Sequence, residues 1–333
     1  MSVALESRAE IFKIARLLEL QPDELEYLDM VPPQALRKLR DQIIERFFGM
    51  DAGGIARIAE YSDLFPPQLI AAITREAVGP FLAARIAGLV DPHTAVQVVK
   101  RLSPQFLADV ASSIDPRRAH DVIGAIPPDV ALPVTEELAA RGEWIVMGSF
   151  VGHLDDDTTR ALIDVLDDAG LLQIAFAMED KTQLAGQIAL FDDERIGRVV
   201  TVAAEHDLWP EALDLMLVLR GKQRRRVIDI ALSQDAAVLD AFVRAAYEEA
   251  LWPEVLRLLA DAQTTDAAVE GMVRAGPKIF RALIDAVDDH GLWPELRSIH
   301  EAASAAARAR FFKRVARLGL MSRMSPVADL IDG

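Results

Sequence analysis

Apolar positions along this chain recur with the spacing of α-helices, and prolines interrupt them at regular intervals. Between residues 78 and 134 a proline stands at every twelfth position: Pro80, Pro92, Pro104, Pro116 and Pro128. An aliphatic residue stands two positions before each proline, and another stands six positions after it. Because proline belongs in the first turn of a helix and also ends the helix before it, this pattern predicts a tight spiral of two-turn helices.

The residue before each proline supports this prediction. Asp or Ser stands there in three units, at Asp91, Ser103 and Asp115, and can cap the helix that follows. A two-turn helix is not stable alone, because helix nucleation is costly. The short helices must therefore stack on one another, with the aliphatic residues six positions after the prolines facing inward.

The stretch "LVDPHTAVQVVKRLSPQFLADVASSIDPRRAHDVIGAIPPDVA" (Leu89–Ala131) resembles the cytosolic N-terminal superhelical domain of MgtE-type magnesium transporters, which is similarly punctuated by (L/I)-x-P. The resemblance covers about residues 64–138. In those transporters a pair of CBS modules and a membrane domain follow, and acidic residues near the domain contacts bind Mg²⁺ as a gating signal. The resemblance thus implies a superhelical fold and, as one candidate function, Mg²⁺ sensing. Transport by this chain alone is excluded, because no apolar run approaches the roughly 20 residues of a membrane helix.

A second repeat, of about forty residues, is marked by Leu-Trp-Pro-Glu, which begins at Leu208, Leu251 and Leu292. "VLDDAGLLQIAFAMED" from Val165 reads as a fourth, degenerate copy, with Leu172 in place of the Trp. We expect two helices per unit, since a period near forty is typical of HEAT or armadillo-like solenoids.

The tryptophans of this phrase have two interpretations. Trp209, Trp252 and Trp293 precede a proline that we place at the first helical position, and a large apolar side chain there packs like a hydrophobic staple. Alternatively, the three indoles form an exposed ladder that binds proline-rich or aromatic ligands.

Together the two repeats predict an all-α protein, a right-handed superhelical array of short Pro-punctuated helices followed by a HEAT/armadillo-like solenoid. We expect an N-terminal helical cap at residues 1–63 and the twelve-residue Pro repeats at 64–140. The forty-residue repeats then fill 141–320. A C-terminal tail occupies 321–333, and we expect it to be loosely ordered from Ser325.

The charge of the chain argues against one class of function. The 333 residues carry a net charge of −16, which argues against non-specific nucleic-acid binding, because that binding depends on Lys and Arg. Between Val151 and Asp214 stand 15 Asp and Glu against 4 Lys and Arg. The chain has no cysteine, and its first twenty residues lack the apolar core of a secretory signal. We therefore expect a cytoplasmic protein.

Two carboxylate clusters in this acidic stretch are candidate metal sites: Asp155, Asp156 and Asp157, and Asp192, Asp193 and Glu194. Hard cations such as Mg²⁺ prefer oxygen ligands, but neither cluster has the Asp-x-Asp-x-Asp-Gly spacing of a calcium loop. The alternative is that both clusters are acidic residues at helix N-termini. His206 and His290 stand beside Asp207 and Asp289 and could also bind a metal, although repetition explains the pairing equally.

Two basic stretches are candidate contacts with a partner. "RGKQRRR" (Arg220–Arg226) is expected to form a turn between helices. This turn is either a solvated loop or a contact, through Arg224, Arg225 and Arg226, with a phosphate or an acidic partner. Glu301–Met324 carries six basic residues against one acidic residue. As a basic amphipathic helix it could lie on an anionic membrane or in a partner's groove, or it could close the solenoid. Its candidate contact residues are Arg310, Phe311, Lys313, Arg314 and Arg317.

No common nucleotide-binding, serine-hydrolase or zinc-protease motif occurs in the sequence. We therefore expect a non-catalytic interaction scaffold or regulatory adaptor that binds a protein or peptide partner. A divalent-cation (Mg²⁺) sensor and a peripheral membrane protein are the alternatives. Mg²⁺ is the one cofactor considered, and no nucleic-acid partner is expected.

Overall fold

The computed structural model describes residues 3–48, 65–178, 181, 184, 188 and 191–330. All regular elements among these residues are helices, and none of these residues forms a β-strand. The predicted all-α class is therefore confirmed. The chain divides into two compact units: residues 6–180, and residues 181–333 together with the first five.

Eleven α-helices of the described chain lie in or enter the first unit. They are α1 (Val3–Leu17), α2 (Pro33–Phe48), α3 (Pro67–Ile73), α4 (Gly79–Ala87), α5 (Pro92–Val99), α6 (Pro104–Ala111), α7 (His120–Gly124), α8 (Pro128–Ala140), α9 (Trp144–Phe150), α10 (Asp156–Val165) and α11 (Asp168–Ala177). A 3₁₀ helix spans Pro22–Leu28, and a π-helical turn spans Thr74–Val78. The part of the predicted N-terminal cap at 49–63 lies outside the described residues.

The proline repeat sets where several of these helices begin. Helices α5, α6 and α8 start at a proline, as predicted, and α4 starts one residue before Pro80. Asp91 caps α5 by accepting the N–H of Thr94 at 3.1 Å. Ser103 does the same for α6 with the N–H of Phe106, at 3.3 Å.

The fourth unit departs from the predicted pattern. No helix begins at Pro116, and α7 starts only at His120. The reason lies at Asp115, which is buried and accepts from the main-chain N–H of Arg117 at 3.1 Å. Its carboxylate also pairs with the side chains of Arg117 and Arg118, so the chain forms a tight turn around it instead of a helix.

Packing in this unit joins each short helix to the second one along the chain. Helix α3 packs on α5, α4 on α6, α5 on α7, and α6 on α8. Two of the five inward-predicted aliphatic residues, Val98 and Val122, are buried, and the other three are half-buried. The short helices are thus stabilised by their neighbours, as the repeat predicts.

The second unit contains nine α-helices among its described residues. They are α12 (Asp193–Glu205), α13 (Trp209–Val218), α14 (Gly221–Leu232), α15 (Ala236–Glu248), α16 (Trp252–Leu259), α17 (Asp266–Arg274), α18 (Pro277–Asp289), α19 (Trp293–Glu301) and α20 (Ala305–Arg317). A 3₁₀ segment, Met321–Leu330, packs on α19 and α20 and buries Met324 and Val327. The expectation of a loosely ordered tail is therefore wrong up to residue 330.

Five helices of the second unit contact the third helix after them along the chain. Helix α12 packs on α15 and α15 on α18; α13 packs on α16 and α16 on α19; α17 packs on α20. The forty-residue repeat therefore contains three helices, and the expectation of two was wrong. The helix that the sequence pattern did not predict is the third one of each repeat (α14, α17 and α20).

The first two helices of each repeat are joined by one recurrent turn. Its central residue has a positive φ, 56° at Asp207, 53° at Ala250 and 64° at Gly291. The next residue, the Leu of the motif, donates its N–H to a carbonyl five residues earlier, at 2.9 Å in each copy. This is the Schellman turn that commonly ends helices. Tryptophan then opens the next helix, with proline in the second position and not the first.

The fourth tryptophan of the chain occupies the same turn in the first unit. Gly142 has φ 69°, Glu143 donates to the carbonyl of Leu138 at 2.9 Å, and Trp144 opens α9. The predicted copy at Leu172 is wrong. There Asp167 caps α11 by accepting the N–H of Gly170 at 2.6 Å, so Leu172 lies inside a helix.

Burial of the tryptophans supports their packing role. Trp209 and Trp252 are each 3% exposed, and Trp293 is half-buried. Trp209 also packs against Phe242, with 4.8 Å between ring centroids. These side chains belong to the core of the second unit and do not form an exposed ladder.

Candidate functional site

The acidic cluster at residues 155–157 begins a helix. Asp155 caps α10 by accepting the N–H groups of Asp157 and Thr158, both at 3.0 Å, and the Thr158 hydroxyl at 2.5 Å. These hydrogen bonds, first the one from the Thr158 hydroxyl, lower the pKa of Asp155 below its ordinary value. Asp157 pairs with Arg160 at 2.9 Å. The side chain of Asp156 lies outside the described part of the chain.

The cluster at residues 192–194 is built in the same way. Asp192 caps α12 by accepting the N–H of Arg195 at 2.7 Å. Asp193 accepts from the guanidinium of Arg226 at 2.7 Å, and Glu194 pairs with Arg198 at 3.3 Å. Each described carboxylate of both clusters therefore has a local partner, and this arrangement favours the interpretation as helix N-termini.

No group of three or more His, Asp or Glu side chains could hold a metal ion within the residues that the structure describes. His206 and His290 are exposed residues at the ends of α12 and α18. Their equivalence follows from the repeat.

The basic stretch at residues 220–226 forms the first turns of α14, so the expectation of a turn between helices is wrong from Gly221 onward. Some of its arginines pack against the protein, and one lies at the surface. Arg224 donates to the carbonyls of Leu219 (2.8 Å) and Leu217 (3.0 Å) at the end of α13, and to Asp261 at 2.9 Å. It thus satisfies two main-chain acceptors that the helix end leaves without partners. Arg226 binds Asp193 and the carbonyl of Phe191. Arg225, between them, is exposed and has no hydrogen bond or ion pair with any described residue.

The C-terminal basic helix, α20, also has some side chains that pack against the protein and others that lie at the surface. Phe311 is fully buried together with Phe312 and Val315, so the apolar stripe of this helix faces the core. The expectation that Phe311 offers a surface contact is therefore wrong. Arg310 pairs with Glu270 at 2.5 Å, and Arg314 donates to the carbonyl of Ala275 at 2.7 Å.

Lys313 and Arg317 are the two remaining candidate contact residues of α20. Both side chains are exposed, and neither forms an ion pair or hydrogen bond within the described part of the chain. Of the eight candidate contact residues, three are therefore positive charges that are exposed and have no ion pair or hydrogen bond among the described residues: Arg225, Lys313 and Arg317.

A close pair of histidines in the first unit was not predicted. The Nδ1 atoms of His120 and His153 lie 3.0 Å apart, although the residues are 33 positions apart in sequence. His120 opens α7, and His153 lies in the turn after α9. Neither residue belongs to a spacing motif, so no sequence signal could have joined them.

A third histidine is buried in the second unit. His300 is fully buried, and neither ring nitrogen has a hydrogen-bond partner among the described residues. Burial, with a smaller contribution from the positive charge of Arg308, lowers the pKa of His300 to about 4. The ring is therefore neutral at physiological pH and packs as a core side chain.

Comparison with family models, with curated proteins and with solved structures gave no match for this chain. The resemblance to the MgtE-type domain accordingly rests on the proline-punctuated residues alone. Among the described helices, none has both the length and the apolar character that crossing a bilayer requires.

Proposed function

We propose that this chain is a non-catalytic cytoplasmic interaction scaffold or regulatory adaptor that binds a protein or peptide partner. The observation that carries the proposal is the contact of five helices in the second unit, α12, α13, α15, α16 and α17, with the third helix after each of them. A repeat of three helices is also found in armadillo-like solenoids, which present an extended surface to their partners, and this likeness supports the proposal. The proposal takes the array to be a right-handed superhelix, beginning with the proline-punctuated helices of the first unit.

The surface charges that the fold does not use suggest where the partner binds. Arg225, Lys313 and Arg317 are exposed and form no ion pair or hydrogen bond with a described residue. The neighbouring Arg224, Arg226, Arg310 and Arg314 bind main-chain carbonyls or carboxylates. An acidic segment of a protein or peptide would complement these three charges. The cytoplasmic location is supported by the absence of cysteine from a chain of this length.

The two alternative functions have less support. A Mg²⁺ sensor would need carboxylates free to converge on the ion, whereas Asp155, Asp192 and Asp193 serve as helix caps or ion-pair partners. Insertion of α20 into a membrane would need an exposed apolar stripe, and Phe311 and Val315 are buried. The three functions can be separated by experiment.

The decisive experiment compares partner capture by two triple charge reversals of the tagged full chain. One variant is R225E/K313E/R317E. The control is K38E/R46E/K100E, which makes the same change in net charge at three exposed basic residues of the first unit. We expect specific partners on the wild type and the control, and their loss from the first variant.

Three outcomes would contradict the proposal in different ways. Equal capture by both variants would remove the three basic residues from the interface. Sedimentation with anionic vesicles, without any captured protein, would favour the membrane alternative. A rise in melting temperature in millimolar Mg²⁺, beyond an ionic-strength-matched sodium control, would favour the sensor, because a ligand stabilises the state it binds.

A further inference from the structure

Two histidine side chains of the first unit place their Nδ1 atoms close enough to share one metal ion. The Nδ1 atoms of His120 and His153 are 3.0 Å apart, and their rings are inclined by 71° with centroids 5.2 Å apart. Two imidazole nitrogens bound to one ion at about 2.0–2.1 Å lie about 2.9 Å apart at a right angle and about 3.3 Å apart at the tetrahedral angle. The observed separation falls between these values.

The two histidines are brought together by direct packing of the backbones that carry them. A Cβ atom added to Gly124, in the same helix as His120, would lie only 3.3 Å from the carbonyl oxygen of His153. The turn itself is fixed by a hydrogen bond from the N–H of His153 to the carbonyl of Phe150, at 3.0 Å. The positions of the two histidines are therefore set by the fold of the first unit.

The ligand atoms determine which ions such a site would take. Neutral imidazole nitrogen suits Cu(II), Ni(II) and Zn(II), whereas Mg²⁺ and Ca²⁺ take oxygen ligands. His120 is exposed and His153 is half-buried, so an ion can reach the pair and water can complete its coordination. No third His, Asp or Glu joins the two within the described residues, so the protein supplies two ligands.

We propose that His120 and His153 form a two-imidazole site for a divalent transition-metal ion, with both Nδ1 atoms as ligands and water in the remaining positions. Cu(II) should bind most tightly among the three ions, following the usual order of affinities for nitrogen ligands. The imidazole ligands of this site differ in chemistry from the carboxylate clusters, although His153 stands two residues before Asp155. The site is independent of the proposed scaffold function.

The test is isothermal titration calorimetry of the full chain with Cu(II), Ni(II) and Zn(II) salts at pH 7.5, compared across three variants. His120→Ala and His153→Ala should each lose one binding event or weaken it at least tenfold. His93→Ala is the matched control, because His93 is an exposed histidine of the same unit, and it should bind as the wild type does. Mg²⁺ should give no signal at this site.

A spectroscopic measurement keeps the proposal testable if a substitution disturbs the fold. In the wild type, electron paramagnetic resonance of one equivalent of Cu(II) should show nitrogen coupling, and His120→Asn should reduce the number of coupled nitrogens. Equal stoichiometry and affinity in the wild type, His120→Ala and His153→Ala would overturn the proposal. So would a Cu(II) spectrum unchanged by substitution of either residue; the pair would then be only a hydrogen bond between two rings.

Discussion

The imidazole of His300 lies against the ring of Phe311, with 4.3 Å between ring centroids and an angle of 60° between the planes. Phe312 packs on the same imidazole at 5.5 Å. The histidine thus occupies an aromatic core position, and no described residue offers its ring nitrogens a hydrogen-bond donor or acceptor. A protonated imidazole there would be a buried charge without a partner, and such a charge is costly.

Acidification should therefore destabilise the second unit. The pKa of His300 is lowered from 6.5 to about 4 in the folded protein. Between these values the unfolded chain binds a proton that the folded protein does not, so stability is fully retained above pH 6.5 and falls toward pH 4. The loss should reach about 3 kcal/mol. Urea unfolding of the wild type and His300→Leu between pH 4.5 and 7.5 measures it.

The pH slope should be smaller in His300→Leu. His206→Leu is the control, because this exposed histidine stands at a helix end and its replacement should leave the slope unchanged. If the wild type and His300→Leu lose stability equally on acidification, the buried ring does not control the response.

The recurrent turn of the second unit gives a prediction whose sign depends on position. Ala250 adopts φ 53°, a conformation that costs about 1–2 kcal/mol for a residue with a Cβ atom. Ala250→Gly should therefore raise the free energy of unfolding, by up to about 1 kcal/mol. The same substitution at Ala245, inside α15, should lower it by about 1 kcal/mol, because glycine is a poor helix former.

The opposite substitution, glycine to alanine, can be made at Gly291, which is the position equivalent to Ala250 in the next repeat. Gly291 has φ 64°, and a Cβ atom added there would meet no atom within 4 Å. Gly291→Ala should thus cost about 1 kcal/mol through backbone strain alone. Thermal and urea unfolding of Ala250→Gly, Ala245→Gly and Gly291→Ala measure all three predicted changes in stability. A destabilised Ala250→Gly would contradict the assigned turn.

Two adjacent arginines should differ sharply in their effect on stability. Arg224 donates to the carbonyls of Leu217 and Leu219, whereas Arg225 is exposed. Arg224→Ala should lower the free energy of unfolding by about 1–3 kcal/mol, because two acceptors at a helix end lose their donor. Arg225→Ala should change it by less than about 0.5 kcal/mol. Equal effects in urea unfolding would show that this division of the basic stretch is wrong.

Substitutions of Asp192 can distinguish its two candidate roles, as a helix cap and as a metal ligand. Asp192→Ala should destabilise the protein by about 1 kcal/mol, because it removes the acceptor for the N–H of Arg195. Asp192→Asn should cost only a few tenths of a kcal/mol, since asparagine caps helices as well as aspartate does. We expect the same melting temperatures with and without millimolar Mg²⁺ at matched ionic strength. A Mg²⁺-dependent rise that Asp192→Asn abolishes would instead make this carboxylate a ligand.

Comparison of two similar segments shows how far local sequence fixes the fold. "ALIDVLDDAGLL" from Ala161 and "ALIDAVDDHGLW" from Ala282 match at most positions. In the first, the helix ends at Val165 and Asp167 caps a new one. In the second, the helix continues to Asp289, and Gly291, two residues later, has the left-handed conformation of the turn that ends it. Either termination is locally acceptable, and the packing of the neighbouring helices selects between them.

The sequence by itself determined the helical class, the starts of α5 and α6 at their prolines, and the Trp-Pro phrase as a repeated helix start. These features depend on hydrogen bonds and steric constraints within about four residues. Tertiary structure alone decided that Arg226 pairs with Asp193, that His120 meets His153, and that His300 is buried. The two pairs each join residues 33 positions apart, and all three features depend on how successive repeats stack, which no local pattern of residues encodes.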